Sequence, residues 1–113
     1  MYSIVKIGDK EVPMLAMASS AVYYKRVFGR DPIQTQVDNE SNGQRVAFYA
    51  EMGYIMAMMA EANGDRDKLR KINMDTYIEW LDQFSAFDYN QAIVQIAQVY
   101  EAQQKPTSKR KNQ

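Results

Sequence analysis

The sequence predicts a mainly α, α+β domain: an N-terminal β-hairpin, a compact bundle of about four helices, and a disordered basic tail. Three observations predict it. Tyr2–Ile7 and Lys10–Met14 are runs rich in β-branched residues standing two residues apart, which is hairpin spacing. Further on, apolar residues recur at i, i+3 and i+4 in several separate segments, the period of a helix. Between those segments stand stop and start signals such as Gly29, Asn63-Gly64 and Asp88. At 113 residues the chain has material for one core and not two. Residues 1–104 therefore read as a single domain with its hairpin at 1–14, and 105–113 as the tail.

Gly8-Asp9 supplies the positive-φ turn of the hairpin, and Pro13, unable to donate to a ladder, makes the second strand an edge. Ser19 or Ser20 caps a first helix in which Tyr24, Val27 and Phe28 share one face. Gly29 suits its left-handed C′ position, Lys25 and Arg26 complement its dipole, and Asp31-Pro32 prevents continuation. Gln34–Gly43 is polar and turn-rich, a mobile connection.

The second helix, Gln44–Ala62, is apolar on every side, and Glu51 is the only charge from Val46 to Ala60. Such a helix must be buried, and fifteen residues carrying a carboxylate fall short of the ~20 that a membrane span needs. Asn63-Gly64 ends it. Asp65–Asn73 is a charged link with room for one helical turn. Asp75 or Thr76 caps the next helix, with Thr76 and Glu79 at capping-box spacing and Tyr77, Trp80, Leu81 and Phe84 as the apolar stripe. Asp88 caps a last helix whose buried face is Tyr89, Ala92, Ile93, Ile96 and Tyr100. From Gln103 onward the chain is polar and basic, and is expected to be disordered.

The chemistry the residues allow is narrow. Histidine and cysteine are absent, which removes the commonest general bases, thiol nucleophiles and transition-metal ligands. Missing cysteine also fits a reducing cytosol, and Met1–Val12 alternates where a secretory signal would run apolar. No phosphate-binding glycine loop occurs, so no nucleotide cofactor is expected. Asp38–Gly43 resembles the start of a calcium loop, but its twelfth position is Tyr49 and not the bidentate Glu that the geometry requires; no metal is expected. Glu79 and Asp82 lie one turn apart and read as the solvated back of their helix. No catalytic residue is assigned, and the chain reads as a non-enzyme. Fourteen basic and fourteen acidic groups cancel, yet Lys105, Lys109, Arg110 and Lys111 crowd the end. The remaining 104 residues hold ten basic against fourteen acidic groups, which argues against a nucleic-acid-binding face on the folded part.

Eight methionines and eight tyrosines are more soft apolar surface than one small core needs. Met52, Met56 and Met59 form a row at helical spacing. Core packing is the default for them, and a partner-binding surface the alternative. The free side of the first helix, Tyr23, Lys25, Arg26 and Arg30, is the other candidate contact surface.

One resemblance spans the chain in order. Ile7-Gly-Asp-Lys-Glu-Val-Pro13 leads into a helix carrying Tyr24-x-x-x-Phe28-Gly-Arg-Asp31, and Trp80-Leu-Asp-Gln-Phe84 follows much later, before a basic end. This pattern resembles the tail assembly chaperones of long-tailed bacteriophages and prophages of Gram-positive hosts. The specific matches are Tyr24–Asp31 and Trp80–Phe84, and Pro32 departs from the apolar pair that many relatives carry after the Asp. The resemblance implies a non-enzymatic factor of the host bacterial cytoplasm, absent from the mature virion. Its expected partners are the tape measure protein, which it keeps soluble, and tail tube subunits, which displace it. It also implies self-association and a frameshifted longer form. A small nucleic-acid-binding regulator and a structural tail or head-completion subunit are the alternatives.

Overall fold

The computed structural model describes residues 1–32 and 42–104. Its elements follow the expected order: β1 (Tyr2–Ile7), β2 (Lys10–Leu15), α1 (Ser20–Phe28), α2 (Asn42–Ala62), α3 (Arg66–Leu69), α4 (Met74–Leu81) and α5 (Ala86–Gln103). The expected tail, 105–113, and most of the expected connection, including the calcium-like loop at Asp38–Ser41, lie outside the described residues. Asn42 and Gly43 were expected in that connection and instead belong to α2.

The hairpin pairs Ile7 with Lys10 across the turn and runs antiparallel to Tyr2 against Leu15. Gly8 takes φ 65°, whereas Asp9 does not share the positive φ, so the glycine alone carries the left-handed step. Met1 and Ala16 extend the ladder by exchanging two 2.8 Å bonds. Counting from either end places Ile4 opposite Pro13 at a non-hydrogen-bonded pair, where the missing N–H of proline costs the ladder nothing. The inner face carries Val5, Ile7 and Met14, all buried, and the outer face shows Tyr2 and Ile4 to solvent.

Every other element packs around α2. It touches β2, α1, α3, α4 and α5, while α5 also covers β1. From Phe48 to Ala60 no residue of α2 is exposed. Side-chain bonds fasten it to its walls. Ser20 Oγ donates to Met59 Sδ at 3.1 Å, Tyr54 Oη meets Thr76 Oγ1 at 2.5 Å, Tyr89 Oη donates to the Ala50 carbonyl at 2.7 Å, and Tyr49 Oη donates to Glu101 at 2.6 Å. Each satisfies a polar group that burial would otherwise leave costly.

Two helix starts differ from expectation, and a third falls at an expected residue but lacks the capping bond. α1 has Ser19 at its N-cap without a side-chain bond; Ser20 instead accepts from the Met17 N–H at 2.9 Å, holding the approach to the helix. α4 begins at an Asn73 cap, not at Asp75 or Thr76. Asn73 Oδ1 accepts from Thr76 N at 3.0 Å and Thr76 Oγ1 accepts from Asn73 N at 2.8 Å, a reciprocal box one turn earlier than Thr76–Glu79. α5 is capped by Ser85, whose hydroxyl accepts from Asp88 N; Asp88 sits in the first turn, where its charge suits the dipole. The stop signals hold: Gly29 closes α1 at φ 73° with its N–H on the Lys25 carbonyl, and Asn63 closes α2 at φ 49°.

Where α2 meets α5, side chains of α5 press directly on the backbone at Gly53. A Cβ there would lie 2.8 Å from Tyr89 Oη and 3.1 Å from an Ile96 methyl group, and Tyr89 is held by its bond to Ala50 and by its ring stacked on Phe84. Gly53→Ala should therefore destabilise the fold by about 1 kcal/mol. Overpacking of roughly 1–3 kcal/mol outweighs the ~1 kcal/mol that alanine gains in helix propensity. Urea titration decides it, and an unchanged or raised midpoint would show that the contact is looser than described.

Burial also sets a pH limit. It raises the phenol pKa of Tyr24, Tyr54, Tyr77, Tyr89 and Tyr100, with Tyr77 pushed up to about 12. An unfolded tyrosine ionises near pH 10, so above that pH the folded chain holds more protons than the unfolded one. Stability is then complete below about pH 10 and lost as pH rises through the folded values, by about 3 kcal/mol for Tyr77 alone. Helical circular dichroism and tyrosinate absorbance recorded together should show most of the tyrosinate signal arriving as the helices melt. Full ionisation with the helices intact would contradict the burial.

Candidate functional site

The segment Ala18–Asp31 divides by face. Tyr24 is fully buried, its ring 5.0 Å from Phe28 and 5.2 Å from Phe48. Phe28 continues to Tyr77 at 5.1 Å, Tyr77 to Tyr54 at 5.3 Å, Tyr54 to Trp80 at 5.5 Å, and Trp80 to Phe84 at 5.1 Å. Tilted and edge-on pairs at these separations each add about 0.5–1.5 kcal/mol beyond burial. The two specific sequence segments, Tyr24–Asp31 and Trp80–Phe84, are thus the ends of one string of rings that fastens α1 to α4 across α2.

The opposite side of α1 meets solvent. Lys25 and Arg26 are exposed and Tyr23 is half-buried, with the Arg26 guanidinium 5.0 Å from the centre of its ring. Val22, beside them, is 58 % exposed. These positions are open to solvent; Arg30, also exposed, is engaged by the fold as well, and the methionine row is buried. Arg30 is ion-paired with Glu51 of α2, and Tyr24 Oη donates to the other Glu51 oxygen at 2.6 Å. Burial, followed by this bond and the Glu51 charge, pushes the Tyr24 phenol up. The reason is local: Glu51 is the only charge between Val46 and Ala60 of an apolar helix, and a largely buried charge has to find a partner. Arg30 therefore serves the fold, although half of its side chain still reaches water.

Met52, Met56 and Met59 are corrected more fully. They are 0 %, 0 % and 4 % exposed, packed among the walls around α2, and present no surface to a partner. A small domain buries its all-round apolar helix first, and the flexible thioethers fill the irregular gaps between walls of different kinds.

The structure adds residues that sequence reading passed over. α3, read only as a turn within a charged link, packs on α2 and faces the α1 segment across an open groove. Ser19, Val22, Tyr23 and Arg26 of the α1 segment then line one open groove of about 270 Å³ with Arg66 and Arg70 of α3. Arg70 is ion-paired with Asp67. Among the described residues Arg26 and Arg66 have no ion pair. The i, i+4 spacing of Arg66 and Arg70 was the available signal, but nothing in the sequence placed them next to Arg26. Such a groove can hold an anionic group through guanidinium forks and an apolar one on Val22 and the Tyr23 ring.

Among the described residues no three acidic side chains gather to hold a metal ion, and no helix is long and apolar enough to cross a membrane. No protein-family model matches the chain, and no match was found among curated proteins or solved structures.

The Glu51 triad is separable by mutation. Glu51→Ala leaves the Tyr24 hydroxyl buried without an acceptor and should cost about 2 kcal/mol. Glu51→Gln keeps an acceptor and loses only a pairing with the half-exposed Arg30, so its cost should be about 1 kcal/mol or less. Thermal melts of the two variants rank these terms; equal losses would mean that the charge pair, not the hydrogen bond, dominates.

Proposed function

We propose that the protein is a phage tail assembly chaperone that binds and solubilises the tape measure protein and helps recruit tail tube subunits during tail morphogenesis. One observation carries this reading. Tyr24-x-x-x-Phe28-Gly-Arg-Asp31 and Trp80-Leu-Asp-Gln-Phe84 occur in order between a Gly-turn hairpin and a basic end, the pattern of such chaperones. Their structural roles support it, because both segments serve one ring string, with Gly29 as the helix stop and Arg30 on Glu51. A motif of that kind marks a fold more than a reactive site.

The surface is also suited to a contact role. Tyr2 and Ile4 stand on the outer face of the hairpin, and Phe87 and Val94 stand two turns apart on α5, 71 % and 68 % exposed. Small apolar patches of this kind favour weak contacts repeated along an extended helical client, which add through multivalency and still release one at a time. On this reading the protein acts without catalysis, in the host cytoplasm, and leaves before the virion is complete.

Co-expression with the tape measure protein tests it. The client should move to the soluble fraction and elute with this chain, and purified particles should lack the chain. A client that stays insoluble with no complex formed would refute the chaperone role, and the chain's presence in particles would favour a structural subunit. A nucleic-acid regulator would instead stay on heparin, with a steep salt dependence, after removal of residues 105–113.

A further inference from the structure

Arg26 and Arg66 lie forty residues apart in sequence, yet they line one groove with Arg70. The groove is mainly polar, with a smaller apolar part. Arg26 is laid against the Tyr23 ring, which restricts its rotamers before any ligand arrives and lowers the entropy lost on binding. Arg70 is partly neutralised by Asp67, so Arg26 and Arg66 are the cations without an ion pair among the described residues of the groove. Val22, 58 % exposed, supplies an aliphatic edge.

We propose that this groove binds an acidic helical segment of a partner protein. Two carboxylates one helical turn apart on the partner are taken by the Arg26 and Arg66 guanidiniums, and an aliphatic neighbour rests on Val22 and Tyr23. Guanidinium forks match carboxylates and phosphates equally well in geometry, so the surroundings decide between them. Exposed Asp65 caps α3 and exposed Asp67 stands in its first turn, and the 104 residues before the tail carry more acid than base. A nucleic-acid strand leaving this short groove would run onto like charge, whereas a helix that turns one acidic-apolar stripe toward it would not. That the partner is the tape measure protein rests on the chaperone reading; the chemistry of the groove does not.

The test uses the full chain and a fluorescent helical peptide of about 20 residues, long enough to hold helix, built from Ala and Leu with Glu pairs at i, i+4. The same peptide with Gln or with Lys in place of Glu, and a single-stranded oligonucleotide, serve as comparisons. The acidic peptide should bind weakly, with a dissociation constant on the order of 100 µM that weakens with salt, and the Gln peptide at least ~10-fold more weakly. Arg26→Glu with Arg66→Glu should abolish acidic-peptide binding and confer binding of the Lys peptide. If the melting midpoint shows that this reversal disturbs folding, Arg26→Gln with Arg66→Gln replaces it and should lose the acidic peptide alone. Equal binding of the Glu and Gln peptides, unchanged binding by either double variant, or tighter binding of the oligonucleotide lost in those variants would each overturn the proposal. Co-expression separates the two readings. If the parent fails to bind the acidic peptide but solubilises the tape measure protein, the groove falls and the chaperone role stands. If the parent binds the acidic peptide but leaves the tape measure protein insoluble, the chaperone role falls and the groove stands.

Discussion

The rest of the structure depends on one constraint: α2 is apolar on every side and has to be enclosed by a chain with few elements to spare. The hairpin, α1, α3, α4 and α5 all pack against it, and all of them but the 18-residue α5 are short. The enclosure explains why the walls differ in kind, with a sheet face on one side and tyrosine-bearing helices on the others, and why thioethers fill the space between them. It also explains the hydroxyl pattern. Tyr49, Tyr54 and Tyr89 each bring or meet a polar partner at the boundary between α2 and a wall, so these rings fill the core while their oxygens remain satisfied.

The same constraint produces an ionic feature at the edge of the core. Glu51 would be expensive in this helix without partners, and Arg30 and Tyr24 supply them from the end and middle of α1. Residues that resemble a family signature therefore turn out to be keepers of the packing: Tyr24 and Phe28 in the ring string, Gly29 in the helix stop, Arg30 on the buried carboxylate. The side of α1 turned away from them is left for contact. Packing side chains and solvent-facing side chains occupy opposite faces of one nine-residue helix.

Element types were legible because their causes are local. Alternation and a two-residue turn specify the hairpin, and Asn63-Gly64 and Gly29 stop helices through their own backbone preferences. Helix starts were less legible, since Asn73, Asp75 and Thr76 are all competent caps. The winner is the one whose position lets Thr76 both close the box with Asn73 and meet Tyr54, and Tyr54 is a tertiary neighbour. Ser85 displaced Asp88 by the same kind of one-turn ambiguity. The candidate site was half legible. Tyr23 and Arg26 follow from the face of α1, but Arg66 and Arg70 join them only because a short helix inside a charged link docks there.

By itself, then, the sequence determined a hairpin followed by helices, the all-round burial of the central helix, and the exposed side of α1, because periodicity and capping act within a few residues of their cause. Tertiary structure alone decided that the methionine row is core, that Arg30 is spent on Glu51, and that Arg26 shares a groove with Arg66 and Arg70. Those outcomes depend on which walls meet α2 and on α1 and α3 flanking one groove. Burial, ion pairing and convergence are relations between segments distant in sequence, and no local pattern encodes them.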